Sequence, residues 1–442
     1  MRPLTLLVLA TVTVAPGALG LPAAAALPGD TAQNLVSPGC WQPFAPRPVN
    51  APASAKTIEG GDARLALSSG GKPFVYGGWR CRVEGLDGGA WYHVRALALP
   101  VDVVSLRESL TVLVRWKGTF GSEVAPSYLW DHRAVGDGQA RVLFERRVQA
   151  PPGTRAAEIE LVLQWSRTGR VTWQEVSLTP AAPPAPRRAR VAAVWFRPRG
   201  AKSGAESVAQ VAAFADRAAA ESKPDFVLLG EMINHAGAPG SLDEHAEAIP
   251  GPTTERLAAL ARKHSAYFAF SLVERSGNDL FNSGVLIDRQ GNSAGKYRKV
   301  QLPFEEVSAG AAAGDALPVF STEFGKVGIM ICHDTSFPEP ARELAMGGAE
   351  LILVPIWGGR APLVRARAIE NGVYLATSGY DYDSEVVDPL GNVVASAPRD
   401  KGPSVAVADI DFNKTFREDW IGSWRDTVSK QRRDAPYTRK HP

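Results

Sequence analysis

The pattern of hydrophobic and polar positions divides the chain into two regions. From about residue 31 to 178, apolar and polar residues alternate in short segments that are separated by Gly- and Pro-rich turns. Three of these segments are Trp91–Leu97, Thr111–Trp116 and Arg170–Leu178. Alternation of this kind, interrupted by turns at short intervals, is typical of the antiparallel strands of a sandwich. We therefore predict an all-β sandwich domain over residues 31–178.

Further along the chain the pattern changes to alternating helices and strands. Val191–Trp195 and Phe226–Leu229 predict strands, and the Ala-rich segment Glu206–Ala220 between them predicts a helix. The apolar run Val327–Ile331 predicts another buried strand. A helix over Pro338–Met346 should follow it, because proline is favoured at the first helical position and glycines follow the last. This alternation indicates an α/β enzyme domain, which we place at residues 190–437.

A Pro-rich segment separates the two regions. Residues 179–189 contain four prolines among small residues, and Arg187 and Arg188 lie near the end of the segment. Such a composition predicts a stiff, extended connector rather than a packed element.

Three chemically distinctive side chains follow predicted strands of the second region. Glu231 follows Phe226–Leu229, Lys299 ends the segment 293–299, and Cys332 follows Val327–Ile331. Each alone has a structural explanation, as a solvated charge or a buried thiol. In open α/β sheets, however, functional sites form at the carboxyl ends of strands. Together the three residues would supply a base, a cation and a nucleophile.

The segments around these residues resemble the carbon–nitrogen hydrolase (nitrilase) superfamily. They are Phe226-Val-Leu-Leu-Gly-Glu231, Tyr297-Arg-Lys299 and Ile331-Cys332-His-Asp-Thr-Ser-Phe-Pro-Glu339, supported by 366–371 and 387–395. The resemblance covers residues 190 to about 437 and implies a four-layer αββα fold with a Glu-Lys-Cys triad. The fold class expected for the whole chain is therefore α+β and multidomain. The Cys-His-Asp segment is similar to amidase and carbamoylase members and lacks the Trp-Glu pair of true nitrilases, which implies an amide or ureido substrate.

The chain departs from the family pattern at three places near the triad. Gly230 stands where a proline usually precedes the glutamate, and Gln301 stands where many members have histidine. The first strand ends in Trp195-Phe-Arg where the family often has a glutamine. These differences leave the triad intact and affect the shape expected for the pocket.

The resemblance also implies a role for each residue of the triad. Glu231 would accept the Cys332 proton and return it to the leaving amine, and a thioester on Cys332 would then be hydrolysed. Lys299 would stabilise the thiolate and the oxyanion, together with the backbone N–H of His333, which is the contact expected between His333 and the substrate.

Two further residues are candidates for the site. A second glutamate supports the triad in the superfamily, and Pro303-Phe-Glu305-Glu306 resembles the segment that carries it. We favour Glu306 over Glu305, and a solvated acidic turn is the alternative. Trp357 either lines the substrate pocket or packs in the core. His333 and His235 lack a partner at metal-ligand spacing, so neither a metal nor another cofactor is expected.

Composition and the N-terminus add expectations about location. The 442 residues, with 45% hydrophobic and 21% charged residues, indicate globular domains, and the net charge of +3 gives no argument for nucleic acid or an anionic membrane. A basic start, the apolar segment Leu4–Val14 and an Ala-rich stretch predict a signal peptide over residues 1–26, with a single-span anchor as the alternative. The mature protein should then be exported, to a periplasm or the exterior.

If the protein is exported, its three cysteines differ in whether a disulfide is expected. Cys40 and Cys81 lie in the same region and either form a disulfide or are both free and buried. Cys332 is the odd cysteine in either case.

The N-terminal region raises a separate question of binding. Its last predicted strand resembles the end of a carbohydrate-binding-like jelly roll, so a glycan is one expected partner. Its tryptophans either stack on sugar rings or belong to the core; they are Trp41, Trp79, Trp91, Trp116 and Trp130.

Three functions compete at this point. They are an exported amidase-type hydrolase, an N-acyltransferase that uses the same thioester, and an inactive glycan- or surface-binding protein. By analogy with the family, a homodimer is expected, and the tail from Phe416 onward either reaches a partner subunit or is mobile.

Overall fold

The computed structural model describes residues 33–130, 132–136, 141–418 and 421–433. The predicted signal peptide over residues 1–26 lies outside these ranges.

The N-terminal region consists mainly of antiparallel strands. Its elements are β1 (Gln42–Phe44), β2 (Ala53–Glu59), β3 (Asp62–Ser68), β4 (Tyr76–Glu84), β5 (Trp91–Val101), α1 (Leu106–Ser109), β6 (Leu110–Lys117), β7 (Glu123–Leu129), β8 (His132–Ala134), β9 (Val142–Gln149), β10 (Ala156–Gln164) and β11 (Arg170–Ala181). They form a five-stranded sheet in the order β1-β4-β10-β6-β7 and a six-stranded sheet in the order β2-β3-β11-β5-β9-β8.

One hydrophobic cluster contains residues of both N-terminal sheets, such as Val94 of β5 and Ile159 of β10. The alternation of apolar and polar residues causes this packing, because successive side chains of a strand point to opposite faces. Three of the tryptophans considered for sugar stacking are core residues instead, since Trp41, Trp79 and Trp116 are at most 3% exposed.

Cys40 and Cys81 form a disulfide between a short 3-10 helix and β4. The alternative of two free cysteines is therefore wrong. Cys332 is free.

The second region alternates strands and helices as the sequence indicates. Its elements are β12 (Arg188–Trp195), α2 (Gly204–Ser222), β13 (Phe226–Leu228), α3 (Leu242–His245), α4 (Pro252–His264), β14 (Tyr267–Ser276), β15 (Asp279–Ile287), β16 (Ser293–Arg298), α5 (Phe304–Ser308), β17 (Val319–Ser321), β18 (Lys326–Ile329), α6 (Pro338–Met346), β19 (Leu351–Pro355), α7 (Ala361–Asn371), β20 (Tyr374–Ser378), β21 (Ser384–Val387), β22 (Val393–Ala397) and β23 (Ser404–Asp411).

Two six-stranded sheets organise this region. Their strand orders are β16-β15-β14-β13-β12-β23, the first sheet, and β17-β18-β19-β20-β21-β22, the second sheet. One hydrophobic cluster contains residues of both sheets, such as Phe226 and Leu353. A second cluster joins α2 and α4 to the first sheet, and a third joins α6 and α7 to the second sheet.

The Pro-rich segment is shorter as a connector than its composition suggests. Thr179, Pro180 and Ala181 still belong to β11 and pair with β5, and β12 begins at Arg188. Proline is accommodated at the end of β11, where it need not donate a ladder hydrogen bond.

The last elements of the described residues are ones that the sequence pattern did not indicate. They are β24 (Arg417–Glu418), β25 (Gly422–Ser423) and α8 (Trp424–Gln431). Helix α8 contacts both the N-terminal region and α7, so within the described residues this part of the tail packs on its own chain.

Candidate active site

The three residues singled out by the sequence all lie just beyond the ends of strands, of which β13 and β18 are buried and β16 is mostly half-buried. Glu231 follows β13, Lys299 follows β16 and Cys332 follows β18 as the first residue of a 3-10 helix, Cys332–Ser336. The strands belong to the two sheets that share a hydrophobic cluster, and Glu231 and Lys299 are each 1% exposed. The site is thus built where the carboxyl ends of strands in two packed sheets meet.

Cys332 occupies an unusual backbone position. Its φ of +42° lies in the left-handed region, which residues with a side chain rarely adopt, and the surrounding structure must hold it there. The Sγ atom lies 3.4 Å from the carbonyl oxygen of Gly358. Burial, with the charge of Glu231 adding to it, raises the pKa of the Cys332 thiol to about 12. Cys332 therefore rests as a thiol and needs a base in order to act as a nucleophile.

Lys299 supplies a positive charge between two carboxylates. Its Nζ lies 2.9 Å from Oε1 of Glu231 and also donates to Oε1 of Glu306. Burial alone would lower the pKa of Lys299, but Glu231, Cys332 and Glu306 together raise it above its ordinary value. Lys299 is therefore held in its charged form although it is buried.

One carboxylate oxygen of Glu231 is hydrogen-bonded and the other is not. Oε1 accepts hydrogen bonds from Lys299 and, at 2.8 Å, from Asn282 Nδ2. Oε2 is buried and has no hydrogen-bond partner among the described residues. The backbone of Glu231 is fixed as well, because the Tyr380 hydroxyl donates to its carbonyl oxygen at 2.9 Å. A buried carboxylate oxygen without a donor is suited to accept a proton.

Of the two candidates for the supporting carboxylate, the structure brings Glu306 to Lys299 and leaves Glu305 exposed. Glu306 is 7% exposed and its Oε2 accepts a hydrogen bond from Asn282 at 3.2 Å. Burial raises the pKa of Glu306, and Lys299 opposes this effect. Helix α5 produces the difference, because neighbouring positions on a helix point in different directions.

Asn282 is part of the site, and sequence reasoning missed it. Besides contacting both carboxylates, its backbone carbonyl accepts a hydrogen bond from the Lys299 N–H at 2.9 Å. Its Oδ1 accepts from the Ser271 hydroxyl at 3.0 Å, and that hydroxyl in turn accepts from the Met232 N–H. The signal available in the sequence was a polar side chain inside an apolar strand, β15.

Asp334 is a second residue that sequence reasoning missed. Its Oδ2 accepts hydrogen bonds from the Ile331 N–H at 2.8 Å and from the Tyr297 hydroxyl at 2.6 Å. Its Oδ1 accepts from the Gln301 N–H at 2.9 Å. Burial raises the pKa of Asp334, and these three donors oppose that effect. One carboxylate thus joins the turn that carries Cys332 to both sides of Lys299.

The two residues expected to contact the substrate lie beside Cys332. His333 is half-buried and makes an edge contact with Phe337, and burial, with Lys299 adding to it, lowers its pKa. Trp357 is also half-buried. Its ring stands edge-on to the Tyr380 ring, with 5.1 Å between the two ring centres. The guanidinium of Arg197 lies 5.6 Å from the centre of the Trp357 ring. Trp357 therefore lies at the edge of the site, in contact with aromatic and cationic neighbours.

The described residues contain neither a metal-binding cluster nor a membrane-spanning helix. They contain no group of three or more His, Cys, Asp or Glu arranged to hold a metal ion. None of the helices within them has the length and apolar character needed to span a bilayer.

Comparison with known proteins gives matches to the second region. A family model described as carbon-nitrogen hydrolase matches residues 190–416. The protein named "Hydrolase in pqqF 5'region" of Pseudomonas protegens is 35% identical over 225 residues, which cover 49% of this chain and 76% of that protein. Human omega-amidase NIT2 is 32% identical over 225 residues, covering 45% of this chain and 80% of that protein. The crystal structure of an amidase from Nesterenkonia sp. is 25% identical, covers 50% of this chain and 89% of that chain, and gives a TM-score of 0.44.

Proposed function

The chain belongs to the carbon–nitrogen hydrolase family, and we propose that it hydrolyses the carbon–nitrogen bond of a linear amide or carbamoyl compound through a thioester on Cys332. The proposal draws on the amidase named among its relatives. It draws equally on the chemistry that Glu231, Lys299 and Cys332 can perform where they lie.

The first half of the reaction forms the thioester. The Cys332 sulfur attacks the carbonyl carbon while its proton passes to Oε2 of Glu231, the oxygen without a donor. The negative charge that develops on the carbonyl oxygen is stabilised by Lys299 Nζ and by the backbone N–H of His333. That N–H belongs to the first turn of a 3-10 helix, where N–H groups lack a partner within the helix. Glu231 then returns the proton to the nitrogen, the C–N bond breaks, and ammonia or an amine leaves.

The second half releases the acid. Glu231 accepts a proton from a water molecule as the water oxygen attacks the thioester carbonyl carbon. The C–S bond then breaks, and Glu231 returns the proton to the Cys332 sulfur, which regenerates the thiol and the carboxylate. Lys299 retains its charge throughout, because Glu231 and Glu306 both contact it. Glu306 and Asn282 act by holding Lys299 and Glu231 in place.

The observation that carries the proposal is the difference in hydrogen bonding between the two oxygens of Glu231. One oxygen accepts hydrogen bonds from Lys299 and Asn282. The other is buried and has no hydrogen-bond donor among the described residues. A structural ion pair would gain from satisfying both oxygens, since an unpaired buried acceptor costs about 1–3 kcal/mol. A general base needs one of them free.

The experiment is ammonia or amine release by the purified protein across a library of linear amides and carbamoyl compounds. Cys332→Ala should reduce turnover at least about 1,000-fold, because the nucleophile is lost. Glu306→Gln should lower kcat about 10- to 100-fold. Glu305→Gln is the matched control and should stay within about twofold, because Glu305 is exposed.

Labelling of Cys332 by an electrophilic thiol probe tests the base separately. Glu231→Gln should slow labelling, since a thiol with a pKa near 12 needs a neighbouring proton acceptor at neutral pH. Labelling that is indifferent to Glu231→Gln, or absent at Cys332, would overturn the hydrolase proposal. Formation of a new amide with an added amine, in place of the free acid, would assign acyl transfer to the same thioester.

The arrangement and location of the protein belong to the same proposal. We propose that the two sheets of the second region, with α2 and α4 on one and α6 and α7 on the other, are the layers of an αββα fold. The shared cluster of the N-terminal sheets supports a β-sandwich.

The disulfide between Cys40 and Cys81 supports export, because such bonds persist in oxidising compartments. Secretion of the mature chain and its size in solution would test export and the homodimer.

A further inference from the structure

Four loops meet at one end of the N-terminal region. They comprise residues 46–52, 69–75, 102–105 and 165–169, and we call their common surface the loop face. Strand pairing brings them together, because Tyr76 at the start of β4 pairs with Gln164 at the end of β10. In the other sheet, Arg170 at the start of β11 pairs with Val101 at the end of β5.

Hydrogen bonds between the loops hold the loop face together. The Ser69 hydroxyl donates to the Arg167 carbonyl at 3.0 Å, and Lys72 Nζ donates to the Ala51 carbonyl at 2.7 Å. The loop 102–105 is bound to the loop 165–169 in both directions, through a Val104 N–H to Ser166 Oγ bond of 3.2 Å and a Thr168 Oγ1 to Asp102 carbonyl bond of 3.0 Å.

Each of the four loops exposes one large hydrophobic side chain. They are Val49, Phe74, Val104 and Trp165, with exposed fractions of 65%, 72%, 71% and 42%. Trp165 also has a φ of +53°, a left-handed conformation that a bulky residue rarely adopts. The Arg433 guanidinium lies 4.9 Å from the centre of the Trp165 ring, and the Trp165 side chain is still 42% exposed. Hydrophobic residues that cluster on a surface mark a binding surface more often than scattered ones do.

The same loops carry an excess of positive charge. They contain Arg47, Lys72 and Arg167 against a single carboxylate, Asp102, and Arg170 follows directly. Within the part of the chain that the structure describes, none of the four cations makes an ion pair, and the three arginines are exposed. This local excess is hidden in the net charge of +3 for the whole chain.

We propose that the loop face is a docking surface for an anionic lipid bilayer. Exposed apolar side chains beside unpaired cations are the combination that such a surface selects, because the apolar groups enter the interface while the cations meet the headgroup phosphates. A neutral glycan would use the aromatic rings and the hollow of about 240 Å³ between Arg47, Phe74 and Trp165. It would leave the cations and the two valines without a role, so the lipid surface accounts for more of the loop face.

The test is co-sedimentation with vesicles of phosphatidylcholine alone and of phosphatidylcholine mixed with phosphatidylglycerol. It uses the full chain and the chain that begins at residue 27, so that the apolar segment Leu4–Val14 is not the source of binding. Both should bind the anionic vesicles more tightly, and salt at about 0.5 M should weaken binding, since exposed charges are screened.

Paired substitutions locate the surface. Phe74→Ser with Trp165→Asn should weaken binding about tenfold, and asparagine suits the left-handed position. Arg167→Gln with Arg170→Gln should weaken binding to anionic vesicles about fivefold per charge. The matched controls are Ile58→Ser, which is 55% exposed near the far end of β2, and Arg64→Gln near the far end of β3; both should bind as the original chain does.

Equal binding to both kinds of vesicle, equal losses in the controls, or no binding by the chain that begins at residue 27 would overturn the proposal. So would retention on immobilised oligosaccharides that the Phe74 and Trp165 substitutions abolish while vesicle binding persists. Cys332→Ala should leave vesicle binding unchanged, so the result does not depend on the proposed reaction. Thermal unfolding of each variant would verify that the fold is kept.

Discussion

At the scale of single residues, Asn282 shows how a neutral side chain organises a charged site. Its amide nitrogen donates to one oxygen of Glu231 and one of Glu306, and its backbone holds Lys299. The contacts with the two carboxylates use both donors of the amide nitrogen, and the amide oxygen accepts from Ser271. It thereby leaves Oε2 of Glu231 as the oxygen available for a proton.

We predict that Asn282→Ala lowers kcat about 10- to 100-fold and changes KM little. The two carboxylates would lose a common donor, so Glu231 could turn and offer either oxygen, and the near-attack geometry would be populated less often. Steady-state kinetics on the amide found by library screening would measure the effect.

A structural role and a positioning role for Asn282 make different predictions. Positioning requires that Cys332 labelling slows and that its pH profile changes while the unfolding temperature falls by only a few degrees. If activity falls only in proportion to the folded fraction, Asn282 is structural. Asn413→Ala, at a distant position where the side chain bonds to Arg187 and the Ala185 carbonyl, is a control for the loss of an asparagine.

Sequence reasoning predicted the charged residues of the site better than their neutral supports. Glu231 and Cys332 could be found because each follows an apolar strand, and Lys299 because it ends the predicted strand 293–299. Glu306 could be preferred to Glu305 only through resemblance. Asn282 and Asp334 act across strands and turns, and the pairing that brings them to the site is a tertiary property that no local pattern contains.

At the scale of elements, the turn after β13 explains a departure from the family pattern. Gly230 stands where the family usually has a proline, and a Cβ at this position would lie 2.7 Å from the Tyr380 ring. The close approach lets the Tyr380 hydroxyl reach the Glu231 carbonyl. Glycine at 230 therefore leaves the space that the Tyr380 ring occupies.

We predict that Gly230→Ala lowers kcat at least about tenfold, because the Cβ must displace Tyr380 or shift Glu231. Removing the ring in the double variant Gly230→Ala with Tyr380→Ala should recover part of the loss, since the two changes are coupled through one contact. Kinetics of both single variants and the double variant would give the coupling.

The control for an added methyl group is Gly39→Ala, which lies in the N-terminal region and would meet only Ser37, at 3.9 Å. Strictly additive effects of the two substitutions would contradict the explanation, because they would mean that Gly230 and Tyr380 act independently.

Element prediction succeeded where hydrophobic periodicity is strong and failed where tertiary contacts decide. Helix α6 has the bounds that its proline and following glycines indicated. The strand before Cys332 ends at Ile329, two residues earlier than its apolar run, because Asp334 binds the Ile331 N–H and turns the chain into a 3-10 helix. Helix α8 was missed, because its residues are mostly polar and it is stabilised by contacts with other parts of the chain.

At the scale of the whole molecule, α8 joins the two regions of the chain. Toward the N-terminal region, Asp426 accepts hydrogen bonds from Trp130 at 3.0 Å and from Arg146 at 2.5 Å. Toward the second region, Arg425 pairs with Glu350 at 3.0 Å, and Trp424 donates to the Ile369 carbonyl at 2.6 Å. Helix α8 therefore has polar contacts with both regions of the chain.

Lys430 makes this attachment sensitive to pH. Its side chain is 5% exposed, and its Nζ donates to the carbonyls of Arg107 and Leu110. Burial, with Arg107 adding to it, lowers the pKa of Lys430 from 10.5 to about 7. Above pH 7 the folded chain therefore has a neutral amine here, whereas the unfolded chain keeps its proton until about pH 10.5.

The sign of the pH effect follows from proton counting. Between these two pKa values the unfolded state binds more protons, so the free energy of unfolding rises with pH. Cys332 acts in the opposite direction above pH 9, because burial raises its pKa from 9.0 to about 12. The Lys430 contribution is therefore read between pH 7 and 9, where it amounts to about 2 kcal/mol.

We predict that Lys430→Met removes this rise while the original chain shows it. The comparison must be between the two slopes, because methionine also leaves the Arg107 and Leu110 carbonyls without their donor and lowers stability at every pH. Unfolding by denaturant at pH 7, 8 and 9 would give both slopes. Lys401→Met, at an exposed position, should keep the slope of the original chain. If Lys430→Met keeps it too, the lysine is charged in the folded state, and Lys430 does not make the attachment of α8 sensitive to pH.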